Sequence, residues 1–284
     1  MTLAQRLVFG YIKTKFTVLT ALSKKRAAKK AFDLFCTPQT RNKKKLPKIF
    51  SNAIKLQFQL QGQTVRGWQF PSLTGNIIRR VLIVHGFESS GINFDRYIRP
   101  LTKKGYEVLV FDAPAHGRST GKRITAPLYK ATIKEIVLRY GPVESYLAHS
   151  FGGLGLSLAL EEINHTKDYR VALIAPATET VTAIDGFFKF LKLDPAIRPE
   201  FEKIVIKTGG VSSEWYSIRR AMKHIRARVL WFHDDDDKIT PVSDVIKVKE
   251  ENYSNIEFVF TKGLGHRRIY KDNKVVKSVI GFLM

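Results

Sequence analysis

The sequence predicts an α/β protein in which a mostly parallel, eight-stranded sheet is flanked by helices and carries a helical cap insertion. Three observations lead there. Eight short apolar runs recur along 284 residues, at 54–60, 64–70, 81–84, 108–111, 143–147, 171–174, 229–232 and 256–260, and short apolar runs of this composition read as buried strands. From 81 onward the runs alternate with helix-like segments at 96–104, 126–139, 154–163, 243–251 and 273–283, the pattern of parallel strands joined by helical crossovers. The interval 177–226 is too long to be a structureless connection. The first two runs are separated only by Gln61-Gly62-Gln63, a hairpin signal, so they should pair antiparallel. The chain then divides into a basic N-terminal helical extension (1–48), a core (49–176 and 227–284) and the cap insertion (177–226).

The chemistry is carried by four segments. Ala148-His149-Ser150-Phe151-Gly152 joins the strand-like run 143–147 to a helix-like run beginning at Leu154. A strand that turns sharply into a helix leaves its apex residue strained and exposed, and demands small residues two before and two after it. Ala148 and Gly152 meet that demand, which makes Ser150 a candidate nucleophile. Its bland alternative is a helix N-cap. A serine hydroxyl needs a positioned base, and His266, in the loop Gly263-Leu264-Gly265-His266 after the last strand-like run, can supply one. The base in turn needs an orienting acid, for which His233-Asp234-Asp235-Asp236-Asp237, after the run 229–232, offers four adjacent carboxylates. Finally, His85-Gly86-Phe87 follows the strand-like run ending at Val84. There the Phe87 amide, with that of Phe151 beside the serine, can face the negative charge of an attacked carbonyl. His85 and His116, each beside a glycine at a strand end, read as loop organisers. His149 reads as a side chain lining or supporting the site.

The order serine, aspartate, histidine along the chain resembles that of the α/β-hydrolase superfamily, from about Ile54 to the C-terminus. Phe111-Asp112-Ala113-Pro114-Ala115-His116-Gly117-Arg118-Ser119 looks like that family's loop after the fourth strand. The resemblance implies the α/β-hydrolase fold with Ser150 as nucleophile, His266 as base and Asp237, four residues before Pro241, as acid. Asp236 stays open as the alternative acid. Phe87 and Phe151 are implied as oxyanion donors, and the cap 177–226, rich in aromatics, as either a pocket wall or a packed decoration. Alanine at 148 departs from the commoner glycine. Serine rather than aspartate at the elbow disfavours a haloalkane dehalogenase. The implied activity is cleavage of a carboxylic ester, thioester or related small-molecule acyl bond through an acyl-enzyme, with no cofactor. The alternative is a non-catalytic binding protein of the same fold that docks on anionic membranes.

Composition bounds the setting. The formal net charge is +23, and residues 1–48 hold thirteen Lys and Arg against Asp33 alone, about half of that excess. Leu3, Leu7, Val8, Ile12, Phe16, Leu19 and Leu22 recur among these cations, so an amphipathic basic helix is expected, either packed on the body or resting on an anionic membrane surface. No nucleic-acid recognition motif accompanies the charge. No metal-ligand spacing is evident around the aspartate run. Lys13 and Lys15 interrupt the early apolar stretch, against a secretory signal. The single Cys36 excludes an internal disulfide and suits a reducing cytosol. A cytoplasmic protein, peripheral at a membrane if the helix docks there, is the expectation.

Overall fold

The computed structural model describes residues 3–42 and 44–284, with the side chains of 3–9, 11 and 13 outside the described set. Its helices are α1 (Leu3–Leu22), α2 (Lys24–Phe35), α3 (Asp95–Lys103), α4 (Ala126–Tyr140), α5 (Phe151–Leu160), α6 (Thr180–Leu191), α7 (Arg198–Gly209), α8 (Ile218–Ala221), α9 (Val242–Lys249), α10 (Gly265–Arg268) and α11 (Asn273–Leu283). Its strands are β1 (Ile54–Leu60), β2 (Gln63–Phe70), β3 (Arg79–Val84), β4 (Tyr106–Asp112), β5 (Ser145–His149), β6 (Arg170–Ile174), β7 (Arg228–Asp234) and β8 (Ile256–Thr261). The chain forms two compact units, residues 38–178 with 217–284, and residues 1–37 with 179–216.

The larger unit contains one eight-stranded sheet in the order β1-β2-β4-β3-β5-β6-β7-β8. All eight expected runs are strands. β1 pairs antiparallel with β2, and β2 antiparallel with β4, while every pairing from β4 through β8 is parallel. The reason is visible in composition: β4 and β5 are buried at every position, as parallel strands covered on both faces must be, whereas β1 is largely exposed at the sheet edge. Phe50, Trp68, Phe70, Phe94, Tyr97 and Tyr270 belong to one large core cluster. Within it Phe50 meets the rings of Trp68 and Phe70 edge-on at 5.1 and 4.9 Å.

Topology decides where chemistry can sit. After β3 the chain adds β4 on one side, then returns to place β5 on the other, so the order reverses around β3. Side chains following the carboxyl ends of β3 and β5 therefore converge on the crevice that such a reversal opens. β7 and β8 run parallel to these strands and end on the same side of the sheet.

The smaller unit joins the two ends of the expectation in one body. Residues 1–37 of the expected extension (1–48) cluster with residues 179–216 of the expected insertion (177–226). The physical cause is α2. Ala27, Ala28 and Ala31 are fully buried, and small residues at this helical spacing let another helix approach closely. Phe32 and Phe35 then meet Phe201 of α7 edge-on at 5.5 and 5.9 Å, and Phe201 also meets Phe188 of α6 at 5.4 Å. The amphipathic helix expected on Leu3 to Leu22 coincides in extent with α1, and a second helix, α2, follows it. The chain bends at Ser23, which is extended (φ −166°, ψ 110°) and caps α2 by accepting the Arg26 amide proton. Cys36 is buried at the end of α2. Of the apolar residues expected to form one face, Phe16 is buried and Ile12 and Leu19 half-buried, but Leu22 is exposed. The side chains of Leu3, Leu7 and Val8 lie outside the described residues. No helix among the described residues is long and apolar enough to cross a membrane.

Candidate active site

β5 ends at His149 and α5 begins at Phe151, leaving Ser150 alone at the apex with φ 56° and ψ −128°. This is a left-handed conformation that a non-glycine residue adopts only under constraint. Three backbone hydrogen bonds supply the constraint: Ser150 N–H donates to Ile174 O at 3.1 Å, while Ser150 O accepts from Gly153 and Ala177 at 2.8 and 3.0 Å. Crowding explains the small residue two positions on. A Cβ on Gly152 would lie 2.5 Å from His85 O and 2.7 Å from Val84 O, both backbone atoms that cannot move aside. The helix-cap alternative fails on geometry, because the Ser150 side chain makes no capping bond.

Instead, Ser150 Oγ lies 2.9 Å from His266 Nε2, and His266 Nδ1 lies 2.8 Å from Asp237 Oδ2. All three side chains are buried. A carboxylate can only accept, so the His266 proton resides on Nδ1 and Nε2 is left as an acceptor for the serine hydroxyl. Burial alone would raise the Asp237 carboxyl. The hydrogen bond and charge of His266, with the amides of Thr240 and Ile239, outweigh it and hold the group below the ordinary aspartate value. Those amides donate to Asp237 Oδ1 at 2.9 and 2.8 Å, and the Thr240 hydroxyl donates to Oδ2 at 2.8 Å. Every lone-pair region of the acid is thereby engaged, and its oxygen facing His266 is fixed.

The structure distributes the aspartate run among different tasks. Asp237 faces His266. Asp236 Oδ2 accepts the Gly263 amide at 3.0 Å, and Asp234 Oδ2 accepts the Leu264 amide at 3.0 Å and the Thr261 hydroxyl at 2.7 Å. Asp234 and Asp236 thus tie down the β8–α10 loop that carries His266. Sequence reasoning singled out the aspartates but not Thr240 as a part of this site. Its position before Pro241 hinted at it, but its partner His266 stands 26 residues further along the chain.

His149 supports His266 from behind. It donates from Nε2 to His266 O at 3.0 Å and packs its ring on Tyr270 at 4.5 Å. Burial, then the neighbouring His266, lowers it to about 3, so it stays neutral. His85 and His116 organise loops, as expected. His85 Nε2 accepts the Ala113 amide at 2.9 Å and His116 Nε2 accepts the Glu88 amide at 3.0 Å, with burial lowering the two to about 4 and about 3. Asp112 completes the brace by accepting the Gly91 and Arg118 amides at 2.9 and 2.8 Å.

Phe87 begins the turn after Gly86, and Gly86 approaches the serine closely: a Cβ there would stand 2.8 Å from Ser150 Cβ. The Phe87 and Phe151 rings meet edge-on at 6.1 Å. Both backbone amides therefore belong to segments bordering Ser150, and among the described residues neither N–H is engaged by a protein acceptor. No cluster among the described residues could hold a metal ion.

An eight-stranded, mostly parallel sheet with a strained serine turn after β5 and a histidine turn after β8 gives the chain the α/β-hydrolase fold. A family model described as serine aminopeptidase, S33, matches residues 75–208, which include the Ser150 turn but end before Asp237 and His266. Among solved structures, the esterase Pf2001 of Pyrococcus furiosus is 23% identical with a TM-score of 0.64, over 87% of this chain and 97% of that one. The monoacylglycerol lipase of Paleococcus ferrophilus is 23% identical with a TM-score of 0.59, over 77% and 98%. Est1E of Butyrivibrio proteoclasticus, solved with ferulic acid, is 19% identical with a TM-score of 0.61, over 80% and 97%. A search of curated proteins finds no match.

Proposed function

We propose that this protein is a serine hydrolase that cleaves a carboxylic ester, thioester or related acyl bond of a small molecule. The observation that carries the reading is the continuous relay from Ser150 Oγ through His266 to Asp237, at 2.9 and 2.8 Å. In the first half-reaction Ser150 Oγ attacks the acyl carbonyl carbon while its proton passes to His266 Nε2. The carbonyl oxygen gains the charge and accepts hydrogen bonds from the Phe87 and Phe151 amides. Collapse of this adduct breaks the bond to the leaving group, which departs with the proton from His266. Water then attacks the acyl-Ser150 ester, His266 takes its proton, and the acid is released as Ser150 recovers the proton. Asp237 stays ionised and stabilises the imidazolium in both halves. These groups supply nucleophile, base and charge stabilisation, so the route uses no cofactor.

Similarity to proteins named esterase and monoacylglycerol lipase supports an oxygen ester as the first bond to try. The test uses p-nitrophenyl esters of increasing acyl length. A burst of p-nitrophenol matching the enzyme concentration, with the acyl mass found on the peptide containing Ser150, is the expected result. Linear release without an adduct, unchanged in Ser150→Ala, would leave the non-catalytic binding reading in its place.

A further inference from the structure

We infer that the bend between α1 and α2 is a docking surface for an anionic lipid bilayer. This inference stands on the smaller unit and does not depend on the hydrolase reading. On α1 the buried or half-buried residues Ile12, Phe16 and Leu19 share one face, while Thr14, Thr17, Val18, Ala21 and Leu22 are exposed on the opposite one. Val18 and Leu22, four residues apart and so on one stripe, are 54% and 75% exposed. A large apolar residue exposed to that degree is ordinary when single. Two on one stripe at a helix end, followed directly by cations, form a pattern.

After Leu22 the chain runs Ser23-Lys24-Lys25-Arg26, and Ser23 turns it sharply into α2. Lys24, Lys25, Arg26, Lys29 and Lys30 are all exposed, because the alanine face of α2 is the buried one. Lys29 pairs with Asp33 at 2.9 Å, and Asp33 is the only acidic residue among residues 1–37, which carry eight Lys and Arg. Charge complementarity therefore selects an anionic partner. The apolar tip selects its kind: Val18 and Leu22 stand out at a helix end, which suits a fluid interface that admits protruding side chains. Lysines beside such a tip can keep their ammonium groups at the headgroups while their stems follow the apolar residues inward.

The test is co-sedimentation of the full chain with vesicles of phosphatidylcholine, alone or with one third phosphatidylglycerol. We expect binding to the mixed vesicles only, weakened about tenfold by Val18→Ser/Leu22→Ser, which leaves the charge unchanged, and by Lys24→Glu/Lys25→Glu. The control Lys103→Glu/Lys104→Glu makes the same charge change at exposed positions of the larger unit and should alter binding by less than about twofold. Because all six side chains are exposed, melting temperature should not move, and it verifies that each variant is folded. The proposal is overturned if the mixed vesicles do not bind the protein or if Val18→Ser/Leu22→Ser binds them as the parent does. It is also overturned if the control pair weakens binding as much as Lys24→Glu/Lys25→Glu, or if both α1–α2 variants lose affinity for a DNA duplex while vesicle binding is unaltered.

Discussion

His116 Nε2 accepts the Glu88 amide proton at 3.0 Å, and Glu88 is held at φ 54° immediately after Phe87. The bond fixes the peptide that follows the Phe87 residue, and the Phe87 ring lies edge-on to His116 at 5.5 Å. One buried imidazole from the loop after β4 thus braces the turn after β3. Since His116 also donates from Nδ1 to Pro114 O at 2.9 Å, both loops are locked through one ring.

For His116→Ala we expect a turnover loss of about 10- to 100-fold with KM changed little, because an oxyanion donor acts in the transition state rather than the ground state. The half-buried Glu88 N–H loses its acceptor, which adds a stability cost of about 1 kcal/mol. Steady-state kinetics on a p-nitrophenyl ester, with urea unfolding alongside, separates the two effects. A rise in KM alone would remove the Phe87 amide from its proposed role.

Asp234 and Asp237 sit three residues apart and should respond differently to loss of charge. Asp237→Asn keeps the shape but removes the group that holds the His266 proton on Nδ1, so activity should fall by about 10⁴-fold, with a stability loss of about 1–3 kcal/mol because its amide nitrogen must face donors that the carboxylate accepted. Asp234→Ala removes the acceptor for Thr261 and Leu264, so stability should fall by about 2–4 kcal/mol with a smaller kinetic defect. Thermal melts and initial rates on the two variants check this; equal kinetic losses would contradict the division of labour.

Acid stability should follow the buried histidines. His85, His116 and His149 are lowered by burial to about 4, about 3 and about 3 from an ordinary 6.5. The unfolded chain therefore binds protons that the folded chain refuses. Stability is fully present above about pH 6.5 and declines as pH falls toward these lowered values, by about 1.4 kcal/mol per pH unit for each histidine that must charge. Asp237, held low, adds a further loss only below the ordinary aspartate range. Urea midpoints from pH 7 to pH 5 measure the slope, and His149→Gln should make it shallower.

In the smaller unit, Phe201 is fully buried and meets Phe32, Phe35 and Phe188 edge-on. Phe201→Ala should cost about 3–5 kcal/mol and loosen α2 together with α7. Hydrogen exchange should then rise in residues 24–35 and 198–209 in concert. Faster exchange confined to α7 would contradict one shared unit.

The strands were legible because each is a short apolar run bounded by polar or glycine-containing turns, and Gln61-Gly62-Gln63 marked the hairpin. Ser150 and His266 were legible because each stands in a local pattern, the small-residue elbow and the glycine-flanked loop. The acid was not fixed by local pattern, since four consecutive aspartates share one composition. Only the turn through Thr240 aims Asp237 rather than Asp236 at His266. The union of α2 with α7 was hidden for a related reason. Ala27, Ala28 and Ala31 announce a close helix contact but not its partner, which lies about 170 residues on. The apolar pattern ending at Leu22 matched the extent of α1, and Ser23, an N-cap residue before a new helical run, marks the start of α2.

The central claim is that Ser150 is activated by His266, and a small fluorophosphonate tests it without a guess at the substrate. Intact-mass and peptide analysis should find one adduct per chain, on Ser150. It should be absent in Ser150→Ala and formed at least about 10³-fold more slowly in His266→Ala. An adduct that forms equally fast without the His266 imidazole, or none on a folded parent protein, would contradict the account.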